Sequence, residues 1–300
     1  MTELAERTAA IVGLGQIGGS IGLDLVSTRA VQKVIGIDVD GETVSRALGI
    51  GAVDCTMDLN DALAEADIVV LATPIDRVCE QVPDLLRATP RATLVTDVAS
   101  VKMPVMQSAL SVVENTSFVG GHPISGEEGS GIDSSAVGRF RDKTWVLTSS
   151  EQTSQDALDL ARQLVESLGA NSLEMSAEEH DKVLAYTSHL PYAIAVALIR
   201  GGLTAAEEHS DLCSLKGGSF LSATRVAASE VGLTLNMWAY NRKNVIQSID
   251  LYIDSLRELQ ALLRLEEYQR LSALIETGRE VACRQAEGPA TGNSSNLTGI

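Results

Sequence analysis

Four short stretches of the sequence carry side chains that can do chemistry. They are TDVASVK with Ser100, GGHPISG with His122, TSHLPYAIA with His189, and GGSFLSATRVAAS with Arg225. An imidazole titrates near neutral pH and can take or give a proton. A guanidinium can hold a carboxylate through two parallel hydrogen bonds. The set indicates proton transfer on a small anionic molecule, provided that the fold brings the stretches together.

A glycine cluster near the N-terminus indicates a second reactant. The run AAIVGLGQIGGSIG places Gly13, Gly15 and Gly18 in a G-x-G-x-x-G pattern between an apolar strand-like run and a helix-like segment. The first glycine of such a turn permits the bend, the second lets the backbone approach a pyrophosphate, and the third lets helix and strand pack closely. The pattern predicts a dinucleotide and hydride transfer. A doubly wound fold with tight glycine turns and no dinucleotide is the alternative.

Asp38 predicts which dinucleotide is used. It ends the second strand-like run, VIGIDVD, in the position where a carboxylate accepts hydrogen bonds from the adenosine ribose hydroxyls. The same carboxylate repels a 2′-phosphate, so we expect NAD, with NADP less favoured. The expected cofactor-binding residues are Gly13, Gly15, Gln16, Ile17, Gly18, Asp38, Thr73 and Pro74.

The elements that must position these residues alternate in the first half of the chain. Continuous apolar runs such as DIVVLAT and ATLVTDV are separated by helix-like segments such as DRVCEQVPDLLRA. Strands of this kind predict a parallel sheet covered by helices on both faces, which is the doubly wound α/β architecture. We therefore expect a Rossmann-type dinucleotide-binding domain over residues 1–150.

The pattern becomes helical after about Thr148, and strand signals are nearly absent. SQDALDLARQLVESLG ends at a glycine suited to a helix C-terminus, Gly169. Ser176 and Glu179 form a capping box, and Pro191 predicts a kink or break in the helix that follows. We expect a helical substrate and dimerisation domain over 151–287, and a disordered tail over 288–300.

Composition limits the classes of partner. The net charge of −17 argues against nucleic acid and against an anionic membrane surface, since both require a basic face. The longest apolar run, 192–199, is too short to span a bilayer. The four cysteines form no C-x-x-C pair, which predicts reduced thiols, no metal site and a cytoplasmic protein.

The four reactive stretches, in this order behind the glycine fingerprint, resemble the prephenate and arogenate dehydrogenase family of tyrosine biosynthesis. The resemblance runs from about Ala9 to at least Asn241, and GGHPISG and SHLP carry most of it. It implies a Rossmann domain, a helical domain that forms a homodimer, and an active site between them. It also implies oxidation of a cyclohexadienol by NAD(P), with the ring carboxylate released as CO2.

The resemblance assigns roles residue by residue. His122 matches the catalytic histidine, Ser100 a serine near the substrate hydroxyl and the nicotinamide, and Arg225 the arginine that holds a substrate carboxylate. Ser188 and His189 match a polar wall of the substrate site. Glu128 matches an acidic residue that follows the histidine loop.

Each assignment has a structural alternative. His122 could cap a turn, Ser100 could cap the helix that follows it, and His189 could be a satisfied core histidine. Arg225 could form a surface ion pair, and Glu127 and Glu128 could be solvated loop charges. Three further residues are expected to lie outside the chemistry: Lys102 as a structural or phosphate-proximal residue, and His180 and His209 as surface residues among acidic neighbours.

Two departures from the family pattern bear on the substrate. Tyr192 stands where many members have a second histidine, which puts feedback inhibition by tyrosine and the choice of substrate side chain in doubt. The segment SEVGLTLNMW is longer than its usual counterpart and resembles arogenate-type members, whereas Asp38 favours NAD.

The function expected from the sequence is the NAD-dependent oxidative decarboxylation of prephenate to 4-hydroxyphenylpyruvate, by a homodimer. Arogenate dehydrogenase is the nearest alternative, with Tyr192 lining the substrate side-chain site in either case. A 3-hydroxy acid dehydrogenase, for which Lys216 would be the lysine, and an NAD-binding redox sensor without turnover are the outer alternatives.

Overall fold

The structure, a computed structural model, describes residues 3–89, 93–112, 117–125, 129–209, 211, 214 and 217–286. It divides into two compact units, Met1–Val245 and Ile246–Ile300. The predicted tail, 288–300, lies outside the described residues, as do Glu127, Glu128 and Lys216.

An eight-stranded sheet forms the centre of the first unit. Its strands are β1 (Thr8–Val12), β2 (Lys33–Ile37), β3 (Cys55–Thr56), β4 (Ile68–Leu71), β5 (Leu94–Asp97), β6 (Phe118–Pro123), β7 (Thr144–Thr148) and β8 (Asn171–Glu174). They lie in the order β3-β2-β1-β4-β5-β6-β7-β8. All neighbours pair in parallel except β6 and β7, which are antiparallel. The predicted doubly wound fold is confirmed, with one antiparallel pair that the sequence did not indicate.

Helices cover both faces of this sheet. They are α1 (Gln16–Thr28), α2 (Gly41–Gly49), α3 (Leu59–Glu65), α4 (Ile75–Ala88), α5 (Met103–Leu110) and α6 (Gln155–Ser167). Every residue of β1 and β4 is buried, and apolar clusters lie on the two sides of the sheet. This two-sided burial explains why the strands read as continuous apolar runs.

The chain from α6 to β8 extends the sheet beyond the predicted Rossmann segment. Gly169 has φ +73° directly after α6, as expected of a glycine at a helix C-terminus. The chain then forms β8, whose four residues are all exposed at the sheet edge. Such a polar strand has no apolar pattern, and the sequence therefore gave no signal for it.

A long helical stretch follows, made of α7 (Ala177–Leu184), a π-helical turn (Ala185–His189) and α8 (Leu190–Glu208). Ser176 Oγ accepts from the amide of Glu179, which confirms the N-cap. The π turn ends at His189, two residues before Pro191, where a proline removes a helical donor. By length and composition alone, 177–207 could cross a membrane, a test that core helices of soluble proteins also pass.

The remaining helices are α9 (Gly218–Thr224), α10 (Val231–Tyr240), α11 (Arg242–Arg264) and α12 (Tyr268–Ala286). Arg225–Ala228 is a short 3₁₀ turn after α9 that packs against α8. The boundary between the two units falls inside α11. The residues after β8 are thus helical wherever the structure describes regular secondary structure.

Candidate active site

The glycine turn between β1 and α1 has the form that the fingerprint predicts. Gly13 has φ +95°, and a Cβ there would lie 2.7 Å from the carbonyl oxygen of Ala72. A Cβ on Gly18 would lie 2.0 Å from the carbonyl oxygen of Gly13, so only glycine allows α1 to approach the strand. A Cβ on Gly15, by contrast, would meet no protein atom within 4 Å. The open space at Gly15 lies beside the first turn of α1, which holds Gln16 and Ile17, and it leaves room for a pyrophosphate.

Asp38 lies at the end of β2 beside this turn. Its carboxylate accepts from the amide of Leu14 at 2.7 Å and from the amide of Asp40 at 3.0 Å. A cleft of about 340 Å³ opens here, lined by Gly36, Ile37, Asp38, Val44, Thr56, Met57 and Asp58. The turn and the cleft together fit the adenosine and pyrophosphate parts of a dinucleotide.

Thr73 and Pro74 lie at the end of β4, next to the same turn. The Thr73 methyl group would be 3.0 Å from a Cβ on Gly13, and Thr73 Oγ1 donates to Gln81 Oε1 at 3.1 Å. Pro74 directly precedes α4. Both residues thus lie at the carboxyl edge of the sheet, where ligands of doubly wound folds bind.

His122 lies on β6 and is linked to a second histidine that the sequence analysis misplaced. His122 Nδ1 is 2.8 Å from Nε2 of His180, and the two rings meet edge to face with centroids 5.1 Å apart. His180 is fully buried, so its prediction as a surface residue was wrong. His209, the other predicted surface histidine, is exposed.

Asp181 completes a chain of hydrogen bonds with the two histidines. Its Oδ1 is 2.7 Å from His180 Nδ1 and also accepts from the amide of Lys102, while Oδ2 accepts from the amide of Met103. These amides begin α5, so the carboxylate also caps that helix.

The chain of bonds assigns the tautomer of each ring. A carboxylate that receives two amide protons accepts from His180 Nδ1–H, which leaves Nε2 of His180 as an acceptor. His122 Nδ1–H then donates to that nitrogen, and His122 Nε2 holds a lone pair. His122 is therefore arranged to take a proton at Nε2.

Burial and neighbouring groups keep His122 neutral. Desolvation, followed by His180, Lys102 and His189, holds the pKa of His122 well below its usual value of 6.5. The imidazole is thus unprotonated at neutral pH, as a proton acceptor must be.

His189 lies at the end of the π turn and is fully buried. Its Nδ1 is 3.1 Å from Nδ2 of Asn241, which also donates to the Asp181 carbonyl. Its Nε2 is buried with no hydrogen-bond partner among the described residues. Burial lowers the pKa of His189 to about 4, so it stays neutral and Nε2 carries the proton. The prediction of a satisfied core histidine therefore holds for only one of its two nitrogens.

Ser100 lies half-buried in the loop between β5 and α5. The residue at the N-cap of α5 is Lys102, and Asp181 accepts from the first amides of the helix, so the alternative that Ser100 caps this helix was wrong. Lys102 is fully buried and forms an ion pair with Asp97 at the end of β5.

Three of the remaining predicted substrate residues lie on or near α8. Ser188 is half-buried in the π turn, and the Tyr192 hydroxyl accepts from Ser229 Oγ at 3.5 Å. Arg225 is exposed at the start of the 3₁₀ turn that packs on α8. Glu128 lies outside the described residues.

Four residues of this arrangement were not expected from the sequence: His180, Asp181, Asp97 and Asn241. The acidic context of AEEHDK favoured a solvated interpretation, yet a helical signal existed. Ala177, His180, Asp181 and Leu184 follow the i, i+3, i+4, i+7 spacing of a buried helix face, and all four are buried. Among the described residues, no set of three or more His, Cys, Asp or Glu side chains is placed to hold a metal ion.

Comparisons with known proteins agree with the fold and identify the family. A family model for the nucleotide-binding domain of prephenate dehydrogenase matches residues 21–174, and one for its dimerization domain matches 176–277. A cyclohexadienyl dehydrogenase of Zymomonas mobilis is 32% identical over 261 residues, covering 85% of this chain and 87% of that protein.

Two solved structures extend the likeness to nearly the whole chain. Prephenate dehydrogenase from A. aeolicus, in complex with hydroxyphenyl propionate and NAD+, superposes with a TM-score of 0.86 at 30% identity, covering 95% of this chain and 99% of that one. Arogenate dehydrogenase from Synechocystis gives a TM-score of 0.81 at 29% identity, with 93% and 99% covered.

Proposed function

The chain belongs to the prephenate dehydrogenase family, and from that premise we propose that it oxidises prephenate with NAD and releases CO2, giving 4-hydroxyphenylpyruvate for tyrosine biosynthesis. It is an NAD(P)-dependent dehydrogenase, and we place it in the cytoplasm. The observation that carries the proposal is the chain of hydrogen bonds from His122 to His180 and from His180 to Asp181, which leaves His122 Nε2 as the proton acceptor.

His122 moves the proton of the reaction. It accepts the proton of the substrate ring hydroxyl at Nε2 while the ring carbinol carbon becomes a carbonyl. The nicotinamide of a dinucleotide bound at the glycine turn would supply the hydride acceptor. The bond from the ring to its carboxylate then breaks, CO2 leaves, and the electron pair forms the aromatic phenolate, which takes the proton back from His122. The balance is prephenate plus NAD+ giving 4-hydroxyphenylpyruvate, CO2 and NADH.

The histidine pair and Asp181 support that transfer. When His122 gains its second proton, its Nδ1–H still donates to His180, and the Asp181 carboxylate stabilises the new positive charge through His180. Asp181 is held for this role by the amides of Lys102 and Met103.

The other residues of the proposed site bind and orient substrate. His189 offers a buried, neutral N–H donor at Nε2, and burial makes an unmet donor costly. We assign Ser100 to the ring hydroxyl and Arg225 to a carboxylate, with Ser188, Tyr192 and Glu128 around the substrate side chain.

NAD is the proposed dinucleotide because Asp38 lies at the end of β2 on the wall of the adenosine cleft. Its negative charge would repel the 2′-phosphate of NADP. Comparing kcat/KM for NAD and NADP tests this assignment, and a preference for NADP would overturn it.

Arogenate oxidation is the second candidate. The likeness to the Synechocystis arogenate dehydrogenase favours it, and the two substrates share the ring, the hydroxyl and the ring carboxylate. They differ in a keto group or an ammonium on the side chain. The Tyr192 hydroxyl can donate to a ketone, although it can also accept from an ammonium.

The deciding experiment follows NADH formation with prephenate and arogenate side by side, in the parent enzyme and in Tyr192→Phe. We expect prephenate to be preferred and Tyr192→Phe to reduce that preference. A parent enzyme at least about tenfold better with arogenate, a difference of about 1.4 kcal/mol, would assign the second function instead.

The proposed active form is a homodimer. A dimerization-domain model matches residues 176–277, and the described helices there expose apolar side chains. On α11 these include Leu256, Leu259 and Leu263, which share one helix face.

A further inference from the structure

The buried ion pair between Lys102 and Asp97 lies where β6 separates from β5. The pairing of these strands ends at Thr96 and Val119. Beyond that point the backbone of Gly121 bonds to side chains instead. Its amide donates to Asp97 Oδ1 at 3.1 Å, and its carbonyl accepts from Lys102 Nζ at 2.6 Å. The ion pair thus replaces the missing strand partner of the residue directly before His122.

The same two residues hold the neighbouring segments of the site. Asp97 Oδ2 accepts from the amide of Ala99, which fixes the loop that carries Ser100. The backbone amide of Lys102 donates to Asp181 Oδ1 at 2.7 Å. One ion pair therefore connects the His122 strand, the Ser100 loop and the start of the helix that Asp181 caps.

Packing alone does not account for this pair. Both side chains have no exposed surface. Burying two charges costs solvation energy, and apolar side chains of similar volume are often as stable in such positions. Apolar side chains would supply neither the two bonds to Gly121 nor a positive charge near the proposed base.

We propose that Lys102, paired with Asp97, is a positioning residue that fixes the geometry of His122 and Ser100 and places a positive charge beside the proposed base. The proposal depends on His122 being the base. Lys102 acts through β6 and through the charge of its ammonium group, without contacting substrate.

Several charged or titratable groups share the surroundings of His122. His180 and Asp181 face it from α7, His189 from the π turn, and Lys102 with Asp97 from the β5–α5 segment. A positive charge lowers the pKa of a neighbouring histidine. The Lys102 ammonium acts in this direction, together with burial, His180 and His189. Removing it should raise the pKa of His122.

The test compares Lys102→Met with the double variant Lys102→Met, Asp97→Asn, which leaves no unpaired buried carboxylate. In both we expect the acid limb of the pH profile of kcat/KM to move about one unit towards higher pH, and kcat to fall about tenfold. NMR titration of the His122 imidazole, without substrate or cofactor, should show the same upward shift. Lys33→Met, which breaks the exposed pair with Glu65, is the matched control and should change neither measurement.

Three results would overturn the proposal. One is a folded double variant whose acid limb and His122 titration match the parent. Another is unchanged kcat in both variants. The third is loss of folding in both, which would make the pair a determinant of folding alone. Failure of the proposed function is seen separately, because a His122→Asn enzyme that keeps normal turnover would remove the base whatever Lys102 does.

Discussion

The two ring nitrogens of His122 have different surroundings, since Nδ1 bonds to His180 and Nε2 does not. His122→Asn keeps a polar side chain of similar reach but removes the proton acceptor. We expect turnover to fall roughly 10²–10⁴-fold, the usual contribution of a positioned acid–base group. NAD affinity, measured by fluorescence titration, should stay at the parent value because the glycine turn is a separate element. Near-normal turnover would exclude His122 as the base.

His180 contributes through His122, so its substitution should act on kcat. His180→Phe preserves a buried ring but removes the acceptor for His122 Nδ1–H and the donor to Asp181. Leaving these buried groups unpaired costs about 1–3 kcal/mol. Because the pair stabilises His122 when it gains a proton, this cost falls on the transition state and should lower kcat about tenfold to a hundredfold, with little change in KM. His209→Phe alters an exposed histidine and serves as the control. A kcat equal to the parent's would show that the pair has no role in turnover.

Arg225 tests the binding of the substrate carboxylate. Arg225→Gln removes the guanidinium charge while keeping a hydrogen-bonding side chain. Loss of a charged hydrogen bond of about 1.5–3 kcal/mol should raise KM for prephenate about tenfold to a hundredfold, with a smaller effect on kcat. Steady-state kinetics at saturating NAD measures this effect. An unchanged KM would assign the carboxylate to another residue.

The glycine turn allows the effects of a substitution on folding and on cofactor binding to be separated. Gly18→Ala should lower Tm by several degrees, because its Cβ would lie 2.0 Å from the Gly13 carbonyl oxygen. Gly15→Ala meets no protein atom within 4 Å and should leave Tm unchanged. It should nevertheless weaken NAD binding, since the added methyl group enters the proposed pyrophosphate space. Thermal unfolding and NAD titration of both variants distinguish the effects; equal NAD affinity in Gly15→Ala and the parent would contradict the placement.

The elements that the sequence predicted well are those with a local pattern. Buried strands such as β1 and β4 are apolar apart from Thr8, and the cap at Ser176 and the glycine after α6 have short-range signals. The exposed strand β8 has no such pattern, because it is fixed by pairing with β7. The N-terminus of α5 was misjudged for the same reason, since its cap comes from Asp181, 79 residues after Lys102.

The candidate site could be predicted from the sequence only in part. His122, Ser100 and His189 lie in short distinctive stretches. The bond between His122 and His180 joins residues 58 positions apart, on β6 and α7. His180 is buried because of this tertiary contact. The acidic residues next to His180 in the sequence indicate an exposed position instead. A buried helix face that contains polar residues is the signal that would have identified it.

Exposed leucines on α11 predict a homodimer. Leu256, Leu259 and Leu263 lie at i, i+3 and i+7 on α11 and are 46%, 38% and 59% exposed. Contiguous exposed apolar side chains on one helix face are typical of an interface. Light scattering at micromolar concentration should therefore give twice the 31.7 kDa chain mass.

Leu259→Asp with Leu263→Asp should shift the protein towards the monomer, since an interface would bury two unpaired carboxylates. Leu48→Asp, on α2 and 42% exposed, is the matched control and should leave the dimer intact. A monomeric parent, or a dimer unaffected by the double substitution, would exclude this face of α11 from the interface.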